Sequence, residues 1–338
     1  MMKTLRKLLY PFVPAYYFIT WLRNKLYDAG IKKSKSYNFP VIGIGNLSVG
    51  GTGKSPMIEY LIRLLKERCT VATLSRGYKR NTTGFQLVRT SHNAEEIGDE
   101  PLQFKLKFRD VLVAVDANRQ QGIELLRRQV HPPEVILLDD AYQHRKVKAG
   151  FYILLTTFYQ LYVDDIVLPT GNLRESRSGA DRANVIVVTK CPPDISIQEQ
   201  EQITQRLQVK SHQRVFFTTI AYGSQLMSAQ AAIDLENLKN SSFTLITGIA
   251  NPKPLVDYYM SLGLKFQHIS FPDHYNFTST DIDDFKERGL IITTEKDYVR
   301  LKDRLSPETL FYQPIEVSFI DKKEDFDKVI GEYLINQV

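Results

Sequence analysis

Two cysteines are all that the chain carries, and Cys69 and Cys191 stand far apart with no C-x-x-C pair. That excludes a disulfide framework and a cysteine zinc site, and it fits a reducing, cytosolic setting. A long apolar run is also missing. The N-terminal stretch L-L-Y-P-F-V-P-A-Y-Y-F-I-T-W-L, Leu8 to Leu22, is short for a span of about 20 residues, and Pro11 and Pro14 interrupt it. Acidic residues are scarce at the same end. Through Lys35, eight basic residues (Lys3, Arg6, Lys7, Arg23, Lys25, Lys32, Lys33, Lys35) face one acid, Asp28, a local charge of +7, so the rest of the chain carries about −1 of the total +6. A basic excess confined to one end is not the footprint of a nucleic-acid groove, and no nucleic-acid partner is expected.

Three readings compete for this basic, aromatic end, which also holds the only tryptophan, Trp21. A secretory signal would need a small-x-small cleavage site, and none is present after it. A helix packed on the core with solvated basic ends is the plain alternative, since aromatic stripes are usually core. An interfacial element accounts for both ingredients together, with rings at headgroup depth and Arg6, Lys7, Arg23 and Lys25 on anionic lipid. Attachment to a membrane surface, monotopic or peripheral, is therefore expected of residues 1–35.

The next stretch is rich in glycine. G-I-G-N-L-S-V-G-G-T-G-K-S-P, Gly43 to Pro56, closes a β-rich run (Pro40 to Gly45) and opens a segment with Ile58, Leu61, Ile62 and Leu65 at helical spacing. Strand, glycine loop and helix in that order make an anion-binding nest. Against the pattern G-x-x-x-x-G-K-S/T, Gly53-Lys54-Ser55 supplies the end, while Ser48 occupies the first glycine position. The mechanics still hold: Gly50, Gly51 and Gly53 free backbone amides for phosphate, Lys54 reaches the outer phosphates, and the Ser55 hydroxyl is placed for magnesium. Asn46, Ser48, Val49 and Thr52 complete the expected nucleotide loop, with Pro56 in the first helical turn.

Further strands are expected at Val71 to Leu74, Val111 to Val115, Val135 to Leu138, Tyr152 to Leu155 and Val185 to Val188. Such continuous apolar runs suit a parallel sheet covered on both faces. The run Val135 to Leu138 ends in Asp139-Asp140, as a Walker B strand does when it holds a metal or its water shell. Two rivals lose ground. A guanine-reading switch needs N/T-K-x-D, and Val188-Thr189-Lys190-Cys191-Pro192 has proline where the aspartate belongs. The membrane-cycling ATPase loop K-G-G-x-G-K-T would need a lysine where Val49 stands.

Other polar clusters favour an enzyme: Gly98-Asp99-Glu100-Pro101, Gln143-His144-Arg145, Arg174-Glu175 in L-P-T-G-N-L-R-E-S, and Asp273-His274 in F-P-D-H-Y. Singly each reads as capping or surface charge. Together with G-N-L-S-V-G-G-T-G-K-S-P, L-S-R-G-Y (Leu74 to Tyr78) and L-D-D-A-Y-Q-H, in this order over most of the chain, they resemble the tetraacyldisaccharide 4'-kinase (lipid A 4'-kinase) family. The family's usual serine or threonine at the position of Ser48 explains the missing glycine. Ala141-Tyr142 departs from it, where glycine and leucine are more frequent.

The resemblance implies ATP and Mg2+ as cofactors and transfer of the γ-phosphoryl group to the 4'-hydroxyl of a tetraacylated glucosamine disaccharide 1-phosphate, a lipid, at the cytosolic face of the inner membrane of Gram-negative bacteria. Asp99 resembles the base, with His274 as a partner that would orient it and raise its basicity, and Lys54 would stabilise the transferring group. Ser55, Asp139, Asp140, Glu175 and Glu100 would surround the magnesium. Arg76, Tyr78, Arg119, Gln143 and His144 would meet the anionic disaccharide, guanidinium groups being suited to phosphate. A monomer is expected.

At 338 residues and 43% apolar, two cores are expected. The fold class read from these patterns is α/β: a P-loop nucleoside-triphosphatase-like parallel-sheet domain (36–213) and a smaller α/β domain (222–312). A short two-stranded linker (214–221 and 313–319) would join them, with a C-terminal helix at 320–338. His274 would then reach the cleft from the second domain.

Overall fold

The computed structural model describes residues 6–337; Lys3 and the rest of Met1 to Leu5, part of the expected interfacial segment, lie outside them. Eight strands run through the first part of the chain: β1 (Val41–Asn46), β2 (Val71–Ser75), β3 (Gln86–Leu87), β4 (Leu112–Val115), β5 (Val135–Leu138), β6 (Phe151–Thr157), β7 (Val185–Thr189) and β8 (Arg214–Tyr222). Six more form a second sheet: β9 (Gln225–Met227), β10 (Ala232–Asp234), β11 (Ser242–Thr247), β12 (Lys265–Ser270), β13 (Ile291–Thr294) and β14 (Leu310–Gln313). The last strand, β15 (Ile315–Phe319), returns to the first sheet, whose order is β15-β8-β7-β6-β1-β5-β2-β4-β3. Only its two edge pairs, β15 with β8 and β3 with β4, are antiparallel. The second sheet runs β10-β9-β14-β13-β11-β12, parallel from β14 to β12.

The helices that matter for the site are α1 (Val13–Asp28), α2 (Lys54–Leu65), α3 (Asp99–Lys107), α4 (Arg119–Arg127), α5 (Ile197–Leu207), α6 (Lys253–Ser261), α7 (Ser279–Lys286), α8 (Glu295–Leu301) and α9 (Lys323–Ile335). The apolar strands are buried on both faces because helices cover both. Side chains alternate along a strand, so Ile42, Ile44 and Leu137 pack with Met57, Ile58 and Leu61 of α2 on one side, while Val41, Ile136 and Leu138 pack with Ile123 and Leu126 of α4 on the other. In the second sheet Leu245, Ile292 and Phe311 face Tyr259 of α6, and Ile246, Ile291 and Leu310 face Phe285 of α7.

Two boundaries differ from those read in the sequence. The connecting strands are not a free two-stranded linker: β8 pairs parallel with β7 from Val185↔Arg214 to Val188↔Phe217, so both connectors extend the first sheet. Gln313 belongs to β14 of the second sheet, because Pro314, which has no N–H to donate, separates it from β15. After β15 the chain returns to the first unit, where Phe326 and Ile330 of α9 are fully buried and the Tyr333 hydroxyl donates to the Val41 carbonyl at 3.2 Å.

Candidate active site

The strand order places the chemistry. β1 lies between β6 and β5, and β5 lies beside β2, with registers Gly43↔Leu138 and Leu74↔Leu138. The loops after β1, β2 and β5 therefore leave one carboxyl edge side by side, which is where open parallel sheets bind ligands. The loop after β1 turns through Gly50 at φ +110° and Gly53 at φ +87°, conformations that side-chain-bearing residues rarely adopt, and Gly53 caps α2. Its backbone is held from outside. Val49 N–H donates to the Asn172 carbonyl at 2.8 Å, Thr189 Oγ1 to the Thr52 carbonyl at 2.8 Å, and Lys190 Nζ to the Gly51 carbonyl at 2.7 Å.

Lys54 lies 3.3 Å from Asn46 Oδ1 and 3.6 Å from Asp140 Oδ1. Arg174 grips Asp140 with two donors at 2.8 Å each and also donates to the Asn46 carbonyl. Burial works against ionisation of Asp140, but the Arg174 hydrogen bonds and the Lys54 charge outweigh it and hold the carboxyl well below the usual range. Its neighbour behaves in the opposite way. Burial, with Asp140 and Glu100 nearby, pushes Asp139 up to about 6 against the pull of Lys54, and the hydrogen bond Asp139 accepts is a long one, from Ser75 Oγ at 3.2 Å. Asp140, Lys190 and His274 all have a positive φ without being glycine, at 48°, 57° and 58°. Such strain is tolerated where it aims groups at a cleft.

A metal would fit only part of the expected set. Among the described residues no group of three or more His, Cys, Asp and Glu side chains is arranged to hold an ion by itself. Glu175 is corrected from this set: it is buried, receives two bonds from Arg182 at 2.9 and 3.0 Å, one from Gln143 at 3.0 Å and one from Asn24 at 2.5 Å, so its oxygens are occupied. Asp140 is engaged by Arg174, and Glu100 stands half-buried beside Asp139. Ser55, in the first turn of α2, and Asp139 remain, which suits magnesium because that ion keeps waters and takes phosphate oxygens for most of its shell.

Asp99 opens α3 directly after Gly98, which adopts φ +93°, and it is buried. His274 comes from the second unit. Its Nδ1 lies 3.2 Å from Asp99 Oδ2, and Arg300 of α8 donates from Nε to Asp99 Oδ1 at 2.8 Å and from its second arm to Oδ2. Lys296 Nζ is 2.8 Å from His274 Nε2 and 3.1 Å from Asp273 Oδ1, and the Arg300 guanidinium also lies 3.0 Å from His274 Nδ1, so a donor-only cation faces each ring nitrogen beside Asp99. The expectation that His274 raises the basicity of Asp99 is overturned. Burial alone would raise the carboxyl, yet the His274 and Arg300 hydrogen bonds and the Arg300 charge hold it below its ordinary value. Arg300 and Lys296 were not picked out in the sequence; the available signal was their i, i+4 spacing in E-K-D-Y-V-R-L, which puts two cations on one helix face.

Of the residues expected at the disaccharide, Arg76 and Tyr78 are exposed at the end of β2, and the Tyr78 ring meets His274 edge-on at 5.6 Å. His144 is half-buried and pushed down to about 4 by burial and by Arg119, Lys146, Arg76 and Arg23, which marks a cationic neighbourhood. Two others are supports. Arg119 is buried and donates to the carbonyls of Asp116 and Asp139 at 2.7 and 2.8 Å, and Gln143 ties the Asn46 carbonyl to Glu175 at 3.0 Å each. Tyr142, at the departure from the family pattern, is buried against Gly45, where a Cβ would come within 2.8 Å of its own Cβ.

The N-terminal helix is neither a core helix nor independent. Of α1 only Asn24 is buried, while Leu8, Leu9, Tyr10, Phe12, Tyr17, Phe18, Ile19 and Leu22 are 40% to 72% exposed. Arg6 and Arg23, expected on lipid, bind protein instead: Arg6 donates to the Pro169 carbonyl at 3.1 Å, to Asn172 Oδ1 at 3.0 Å and to the Gly171 carbonyl, and Arg23 donates to the Gln143 carbonyl at 2.5 Å. Buried or half-buried guanidinium groups take carbonyl partners in place of water. Lys7 and Lys25 remain exposed.

A glycine-rich nest after a central parallel strand, its lysine set between that strand and two carboxylates on the neighbouring one, defines a P-loop nucleotide-binding protein. The comparisons narrow the class. The model of the tetraacyldisaccharide-1-P 4'-kinase family matches residues 5–334, and the chain belongs to that family. It is 52% identical to the tetraacyldisaccharide 4'-kinase of Flavobacterium johnsoniae, with 98% of each chain covered, and 42% identical to that of Phocaeicola vulgatus, with 98% of this chain and 95% of the relative covered. A crystal structure of LpxK from Aquifex aeolicus in complex with ATP, 32% identical, superposes with a TM-score of 0.80 over 98% of this chain and 99% of the other.

Proposed function

We infer that this chain is the ATP-dependent kinase that phosphorylates the 4'-hydroxyl of tetraacyldisaccharide 1-phosphate, a step of lipid A biosynthesis. The carrying observation is the P-loop edge with Lys54 and Asp140, and Asp99 with its two partners, in a chain that belongs to this family nearly from end to end. The cofactor is ATP. Magnesium, held by Ser55 and Asp139, would supply positive charge to the phosphate oxygens.

In this reading Lys54 stands at the outer phosphates and stabilises charge on the transferring group. Asp99 accepts the proton of the attacking hydroxyl. Its lowered pKa keeps it ionised, and Oδ1, which takes one bond from Arg300, has a lone pair left for that proton. A loose phosphoryl-transfer transition state asks for proton removal late, so a weak base suffices. Arg76, Tyr78 and His144 lie on the approach of the anionic disaccharide.

The lipid's acyl chains would stay in a bilayer while the sugar enters the cleft. No helix among the described residues is long and apolar enough to cross a membrane. The exposed apolar face of α1 and the segment before it, with Lys7 and Lys25, supports seating of a monomer on the anionic cytoplasmic face of the inner membrane. The test is transfer from labelled ATP to purified tetraacyldisaccharide 1-phosphate in detergent micelles. Labelled lipid is expected; release of free phosphate alone would identify an ATPase instead.

A further inference from the structure

Away from the cleft, four polar side chains are enclosed between the two units. Lys107 Nζ lies 2.6 Å from Glu59 Oε2 and 2.5 Å from Glu295 Oε1, and Gln103 Nε2 donates to both carboxylates at 2.8 Å. Glu59 has no exposed surface, and Glu295 retains 6%. Taking such charges out of water is costly unless every one is paired, so the cluster fixes whatever carries it. Three helices of the site carry it. Glu59 is on α2, which begins at Lys54; Gln103 and Lys107 are on α3, which begins at Asp99; Glu295 opens α8, which also bears Lys296 and Arg300. Glu295 alone comes from the second unit.

We propose that Glu59, Gln103, Lys107 and Glu295 form an interdomain latch: by holding Glu295 it holds α8, and with it Arg300, Lys296 and His274, on Asp99. Lys107 and Glu295 are positioning residues, acting through α8. This rests on the reading of Asp99 and His274 as the proton-handling pair.

The latch has an uneven charge count. The groups facing Glu295 are Glu59 on α2, Lys107 on α3, the Tyr312 phenol of β14 and the Ile315 N–H of β15, which donates at 3.3 Å. Arg63 of α2 stands 3.7 Å from Glu59 but also 3.4 Å from Glu316. Two enclosed carboxylates thus share one ammonium, with Arg63 divided between Glu59 and Glu316 and out of reach of Glu295 in the ion pairs it makes. Burial, and then the Glu59 charge, push the Glu295 carboxyl up. The docked state therefore binds a proton that the separated state releases, so docking is favoured at lower pH and weakens as pH rises through the raised value.

The experiment reads interdomain distance on the full chain without catalysis, using spin labels at V130C and M260C, both well exposed, in a C69S/C191S background. The parent should give one narrow distribution at about pH 7 that gains a second, broader component at about pH 9.5, E295Q should keep the single narrow distribution at both, and K107M should show the second component at both. In turnover K107M should lose about tenfold or more with ATP affinity within about twofold, and adding H274A should cost little further. Parent-like distances in K107M, or a pH response in E295Q equal to the parent's, would overturn the latch. If K107M fails to fold, the comparison of E295Q with the parent decides alone. Because the distances need no activity, the latch can fail while the roles of Asp99 and His274 stand, and the reverse.

Discussion

The two ends of the cleft are built differently. At the phosphate end Lys54, Asp139 and Asp140 follow neighbouring strands of one sheet, and Arg174 closes over them from a loop of the same unit. At the base end Asp99 from the first unit meets His274 and Arg300 from the second. The first arrangement is secured by the ladder of β1 with β5 and needs nothing from the second sheet. The second exists only while α3 and α8 are docked. Nucleotide binding and chemistry are thus separable: opening the units should spare the first and stop the second.

The largest effect expected is that of Lys54→Ala. Transfer should vanish with the fold intact, because the lost cation acts on transition-state charge; near-normal turnover would remove the phosphate end from the account. Asp99→Asn should lower turnover by roughly two to four orders of magnitude with ATP affinity retained, measured by equilibrium binding. A fall in ATP affinity of similar size would mean that the two ends are not separate. Arg300→Ala comes next and sharpens the contrast through pH. With the guanidinium gone the Asp99 carboxyl rises, so the acid limb of the kcat/KM profile should move to higher pH, and Arg300→Lys should restore part of the shift.

The same depressed pKa predicts a stability signature. Asp99 contributes stability that is fully present above the ordinary Asp pKa of about 3.9 and is lost as pH falls through its lowered folded value. Thermal unfolding of Asp99→Asn should therefore lie below the parent at neutral pH and converge with it in acid. The smallest effects belong to α1, whose two faces should separate. Lys7→Gln and Lys25→Gln should each weaken binding to anionic vesicles by about fivefold and leave turnover in micelles alone. Asn24→Ala should do the opposite, since it removes one of the four bonds to Glu175, the carboxylate that holds Gln143 on the Asn46 carbonyl.

The phosphate end could be read in the sequence because its pieces are local. A strand, a glycine loop and a helix start are contiguous, and the run Val135 to Leu138 announces by composition that Asp139 lies at a strand end. The strands themselves showed as short apolar runs, and β5 spans the residues expected of it. The hidden part depends on pairing across distance. Nothing in L-R-E-S says that Glu175 is enclosed by Arg182, Gln143 and Asn24, because those partners arrive from three separate segments. Arg6 and Arg23 looked free for lipid for the same reason, since composition counts charges and does not reveal which carbonyls they will meet. Arg300 was missed because it lies 26 positions after His274 and has no glycine or proline to mark it.

The central claim is that Asp99 and His274 act as one unit formed across the interface, and a double-mutant cycle in turnover tests it most directly. Asp99→Asn, His274→Ala and the double variant are compared in the transfer assay under saturating ATP. If the pair works as a unit, the double variant should be little worse than the poorer single one, a coupling nearly as large as the smaller single effect. Losses that multiply in full would show two groups acting independently, and would contradict it.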